Sequence, residues 1–262
     1  MRIVYFGTPS FAAEVLKFLI ESGIEVIAIV TKPDRARGRS RKLAFSAVKE
    51  LATKNYPDIL LYQPDKASTT SFEQELRRFG ADLFVVVAYG EIVKQELLDL
   101  PREGCINLHA SLLPKYRGAA PIQFALLDGV KETGVTVIEM VAKMDAGDIL
   151  AQGKIPIPTE MNGMELEEKL CALGKETLLR VIRNFSHYHS QRKPQDPKQV
   201  TFVQKIYPTM ARIDWNQDAE TIHHQIRAFS PCPGAWAEVE VNGQLKRIKV
   251  FKCNVVEGSS EV

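Results

Sequence analysis

The chain has 262 residues, 45% hydrophobic and 25% charged, with a formal net charge of +2. That length suits one large domain with a smaller companion, and no apolar run reaches the ~18 to 20 residues needed to span a bilayer, so no membrane partner is expected. The balance is too even to announce a nucleic-acid partner by itself, and four scattered cysteines without a C-x-x-C pair suggest neither a disulfide framework nor a metal site.

In chain order, Arg2–Phe6 and Glu25–Thr31 are short β-branched apolar runs. Between them Phe11, Ala12, Val15, Leu16, Leu19 and Ile20 recur at helical spacing, with Ser10 placed to cap the helix and Gly23 to end it. Strand, helix and strand make a βαβ unit and so predict a parallel sheet. Gly7-Thr8-Pro9 sits at the first strand-to-helix turn but lacks G-x-G-x-x-G, which argues against a dinucleotide site. Residues 45–55 and 71–79 read as helices, and Asp82–Ala88 as a central strand buried on both faces. Further strands are predicted at Cys105–Leu108 and Val135–Met140, with a helix opened by Pro121 and closed by Gly129 between them. A long helix over Met164–Asn184 closes the first domain. Ser186–Lys198 is polar with two prolines, the composition of a linker. Beyond it come a helix at Ala219–Phe229 and two strands, Trp236–Val241 and Ile248–Cys253, around the turn signal Asn242-Gly243. The fold class is α/β, with domains expected at 1–185 and 207–262 and a linker at 186–206.

Gly104–Ala110 alternates apolar and polar residues, which puts Asn107 and His109 on one face of a strand at its carboxyl end, where α/β sheets gather ligands. An N-x-H pair alone is equally an ordinary hydrogen-bonded pair. Likewise Asp145-Ala146-Gly147-Asp148 alone is turn chemistry. Together, in order and with Ser111–Ile122 (SLLPKYRGAAPI) between them, these segments resemble the folate-dependent formyltransferase family.

The resemblance implies a Rossmann-like, mostly parallel catalytic domain and a small β-barrel-like (OB-like) C-terminal domain. It implies that Asn107, His109 and Asp145 are catalytic, and that the turn Ser111, Leu112, Leu113 and Pro114 lines the folate pocket with Tyr89 and Gly90. The formyl donor would be 10-formyltetrahydrofolate, with no metal required. Asn107 and His109 would donate to the oxyanion formed as an amine attacks the formyl carbon, and Asp145 would orient His109 and help move the proton.

For the acceptor, Lys32–Lys42 (KPDRARGRSRK) holds six basic side chains and one acid. It resembles the loop by which tRNA-directed members of the family engage the acceptor end, which assigns Arg37, Arg39, Arg41 and Lys42 to tRNA. Arg227–Gly234 (RAFSPCPG) resembles the start of the tail domain that supports tRNA. Initiator methionyl-tRNA is thus the expected partner, with a nucleotide-linked amino sugar as the alternative acceptor. A cytoplasmic monomer is expected. Family members usually continue beyond the position of Val262, so the second domain is expected to be partial.

Overall fold

The protein is described from a computed structural model that covers residues 1–37 and 42–256. It opens with β1 (Arg2–Gly7), α1 (Ser10–Glu21) and β2 (Glu25–Val30), then a small hairpin of β3 (Arg35–Arg37) and β4 (Lys42–Ala44). α2 (Ala47–Asn55), β5 (Leu60–Tyr62), α3 (Thr70–Arg77), β6 (Leu83–Val87), α4 (Gln95–Leu98) and β7 (Cys105–His109) follow. Next come the two-residue β8 (Arg117–Gly118), α5 (Pro121–Leu127), β9 (Glu132–Glu139), β10 (Ile149–Pro156) and the long α6 (Gly163–Arg183). The chain then forms α7 (Phe185–Ser190), β11 (Phe202–Val203), α8 (Ala219–Phe229), β12 (Ala235–Val241) and β13 (Gln244–Val250).

Seven strands make one sheet in the order β10-β9-β7-β6-β1-β2-β5. It is parallel from β5 to β7, and β9 and β10 are antiparallel additions. β1 and β6 are buried throughout apart from Arg2, because helices cover both faces. α1 and α6 cover one face, where Ile106 and Leu108 of β7 point; Cys105 and the aromatic pair Phe6–Phe84 belong to the other. Each fully buried aliphatic side chain contributes about 1.5–3 kcal/mol. α6 lies close on β7, since a Cβ at Gly174 would come within 2.9 Å of Leu108. Its start is fixed by a capping box between Asn162 and Glu165. β1 has β2 on one side and β6 on the other, so successive connections leave it in opposite directions and open a crevice at the carboxyl ends of β1 and β6.

Three expectations are corrected. Ser10 does not cap α1: Pro9 takes the cap position and no side chain caps the helix. Residues 186–190, expected in a linker, form most of α7, anchored by buried Phe185. The last strand lies earlier than predicted, because Asn242 and Gly243, both at positive φ, make a tight turn that brings Gln244 directly opposite Val241. Among the described residues the small C-terminal domain consists of helix α8 and a two-stranded antiparallel hairpin. No helix among the described residues is long and apolar enough to cross a membrane.

Candidate active site

A cavity of about 700 Å³ occupies the crevice. Its walls come from Phe11 after β1, the segment Ala88–Val93 after β6, the end of β7, and the loop Met140–Ala146 after β9. Asn107, His109 and Asp145 all line it. Strand alternation explains the first two: Ile106 and Leu108 pack under α6, so Asn107 and His109 emerge on the opposite face.

His109 is 7% exposed. Its Nε2 lies 2.9 Å from the Tyr116 carbonyl oxygen, which can only accept, so this nitrogen carries the proton. Nδ1 faces Asp145 Oδ2 at 3.8 Å, too long for a hydrogen bond. The ring is therefore oriented by Tyr116, and not by Asp145 as expected. Asp145 Oδ2 is itself held by the Gly118 amide at 2.8 Å. The aspartate sits at φ +50°, a left-handed conformation uncommon outside glycine. Gly118 has φ +122° and a Cβ there would fall 2.1 Å from the Val203 carbonyl oxygen, so β8 and β11 can pair only with glycine at this point. Asn107 is half-buried and its side chain makes no hydrogen bond among the described residues.

Tyr89 and Gly90 line the cavity, as does the backbone turn around them, which is bound to Thr8 through the Tyr89 carbonyl oxygen at 2.8 Å. Ser111, Leu112, Leu113 and Pro114 are not among the residues lining this cavity. Their polar groups are spent internally: the Ser111 hydroxyl donates to Lys115 O at 2.7 Å, and Thr136 Oγ1 links Ser111 O and Leu113 N at 2.6 and 3.1 Å. Leu112 packs where Gly134 leaves room. The turn fastens β7 to β9 and so sets the position of His109. Glu167 of α6 and Lys205 complete the rim, and burial, followed by the charge of Glu168, pushes the Glu167 carboxyl above its ordinary value.

Sequence reasoning overlooked Arg117 and Gln195. Arg117 is 5% exposed and donates from Nε and Nη2 to Gln195 Oε1 at 3.1 and 2.7 Å. Burial lowers its pKa while Asp145 acts to raise it. Arg117 lay inside the quoted Ser111–Ile122 stretch without a role; Gln195, in a polar segment, carried no local signal.

The basic loop springs from a braced base. Asp34 accepts from Lys49 Nζ at 2.5 Å and Gln63 Nε2 at 2.8 Å, and Lys32 pairs with Glu91. The hydrogen bonds from Gln63 and then Lys49 hold the Asp34 carboxyl below the usual range. Arg37 and Lys42 are backbone partners at the end of the β3–β4 hairpin. Arg39 and Arg41 lie outside the described residues. No group of three or more His, Cys, Asp or Glu side chains among the described residues is arranged to hold a metal ion.

The family model "Formyl transferase" matches residues 1–182, and "Formyl transferase, C-terminal domain" matches 205–262. The chain is 49% identical to the methionyl-tRNA formyltransferase of Protochlamydia amoebophila over 98% of this chain and 80% of that one. It is 41% identical to that of Acetivibrio thermocellus over 98% of this chain and 81% of the relative. Among solved structures, a 4-N formyltransferase from Francisella tularensis superposes with a TM-score of 0.73 at 16% identity, covering 97% of this chain and 98% of that one. A sugar N-formyltransferase from a Shewanella species gives 0.70 at 14% identity, covering 98% and 99%. At such identities the two structures speak to the fold alone.

Proposed function

The chain belongs to the formyl transferase family, and from that premise we propose that it moves the formyl group of 10-formyltetrahydrofolate onto the α-amino group of methionine carried by initiator tRNA, in the cytoplasm. The observation that carries the reaction is the convergence of Asn107, His109 and Asp145 on one cavity at the carboxyl ends of the strands. The acceptor follows from relatives named methionyl-tRNA formyltransferase that match nearly the whole chain, joined to the arginine-rich loop over 32–42.

The cavity suits a folate: its size accommodates a fused ring and aryl group, and Phe11, Ile92, Met140 and Met144 give it apolar walls. Bound there, the donor supplies an electrophilic formyl carbon. The amine forms a C–N bond to that carbon, the bond to the folate nitrogen breaks, and one proton passes from the amine to the departing nitrogen. The free Asn107 amide donates to the formyl oxygen as negative charge grows on it, an effect of about 3–4 kcal/mol for a well-placed donor. His109, fixed by Tyr116, uses its Nδ1 edge near the same oxygen and the transferring proton. Asp145, across from that edge, accepts the amine's proton, directly or by water.

The test offers labelled 10-formyltetrahydrofolate with charged initiator tRNA, elongator methionyl-tRNA or a nucleotide-linked amino sugar. Label should appear on the initiator aminoacyl group. Formylation of the amino sugar without any labelled tRNA would overturn the acceptor, and no transfer to any amine would overturn the reaction.

A further inference from the structure

The segment between α7 and β11 is polar and exposed, yet it is tied to the catalytic side of the sheet along its length. Lys193 exchanges two backbone hydrogen bonds with Ile149, at 2.8 and 2.9 Å. Thr201 accepts from Tyr116 N through Oγ1 at 2.8 Å and from Arg117 N through its carbonyl at 2.9 Å. Between these two fastenings lies Gln195, half-buried among exposed neighbours.

The Gln195 amide uses its whole hydrogen-bonding capacity. Nε2 donates to the carbonyl oxygens of Asp145 and Gly147, at 2.9 and 2.7 Å, and Oε1 accepts twice from Arg117. A guanidinium only donates and carbonyls only accept, so this orientation is dictated by the partners. Gly118, next to Arg117, donates its amide to the Asp145 carboxylate. The result is a closed ring: β8 grips the Asp145 side chain directly, and grips its backbone through Gln195. Asp145 is at positive φ, and a Cβ at Gly147 would lie 1.7 Å from the Glu139 carbonyl oxygen, so the loop is held in a conformation it would not adopt unaided.

We propose that Gln195 is a positioning residue for Asp145, so that the connector to the tail completes the active site. This rests on Asp145 acting in the reaction as described above. Gln195 does not line the cavity and its hydrogen bonds reach it only through the Asp145 loop, and displacement of a reacting group by about 1 Å costs about 100-fold in rate.

Gln195→Met, of similar shape but without the amide, should lower kcat by about 10- to 100-fold while KM for the folate donor stays within about twofold. Asp145→Asn should lower kcat at least as far. In the Asp145→Asn background, Gln195→Met should add no more than about a twofold loss, because the group it positions is already gone. If Gln195→Met melts early, Gln195→Glu replaces it: the carboxylate keeps Arg117 but cannot donate to the two carbonyls, and the same loss is expected. A wild-type kcat in the glutamine variant, or full additivity in the double variant, overturns the proposal while leaving the aspartate's role standing. A wild-type kcat in Asp145→Asn alone removes that role and the proposal with it.

Discussion

Tyr116 presents its carbonyl oxygen to His109 Nε2 at 2.9 Å, and so decides which ring nitrogen is left to face the cavity. Tyr116 reaches this position with φ +61°, next to the β8 residues that hold Asp145. One short stretch therefore sets both the imidazole and the carboxylate.

His109→Gln should keep a donor toward Tyr116 but lose the chargeable Nδ1. Turnover should fall by about 100-fold or more, with thermal stability close to wild type since little apolar area is lost. Steady-state kinetics beside a melting curve checks this, and a rate within threefold of wild type would remove the histidine from the chemistry.

Asn107→Ala takes away a donor with no competing hydrogen-bond partner among the described residues. We expect kcat reduced by about 100- to 1,000-fold and folate affinity little changed. Equal losses in kcat and folate binding would instead make Asn107 a ligand-binding group.

Gly118→Ala should be more damaging than its size suggests. Its Cβ meets the Val203 carbonyl oxygen at 2.1 Å and its φ of +122° is hostile to alanine. The pairing of β8 with β11 must open, at a cost of about 1–3 kcal/mol. The amide that holds Asp145 moves with it. Lower melting temperature and lower kcat should appear together, and an unchanged melting temperature would contradict the crowding.

Asp34 supplies a pH-dependent test. Its folded-state carboxyl is held below the ordinary value by Gln63 and Lys49, so its stabilisation is present above the unfolded value and is lost as pH falls through the folded one. The stability gap between wild type and Asp34→Asn should be constant from about pH 8 to about pH 5 and shrink only below about pH 4. A gap that closes near neutrality would point to another group.

Replacing Arg37, Arg39 and Arg41 together should weaken use of charged tRNA while sparing folate binding. Each phosphate left without its arginine should flatten the slope of log affinity against log salt by about 0.7–0.9. Unaltered slope and efficiency would make the basic run ordinary surface.

Much of the sheet was legible because its central strands are continuous apolar runs and its helices carry one apolar face. The pair Asn107 and His109 was legible for the same reason, through the two-residue period of β7. β10 escaped notice: in ILAQGKIP small and charged residues interrupt the pattern, as an edge strand with one solvated face permits. The residues that hold Asp145 were hidden for a different reason. Gln195 and Arg117 are 78 positions apart and meet through polar atoms, which leave no periodic trace. A proline-containing polar stretch has the composition of a linker whether it floats or is pinned by hydrogen bonds to distant backbone.

The route of that stretch bears on how tails could be exchanged among enzymes built this way. A chain cut after Arg183 would keep all seven strands of the main sheet and still lack Gln195, Thr201 and Val203. A recombination junction there would set a foreign strap against the Asp145 loop, whereas one placed after Val203 would carry the strap along with its own catalytic half. The seam for exchanging tails thus lies some twenty residues beyond the end of α6.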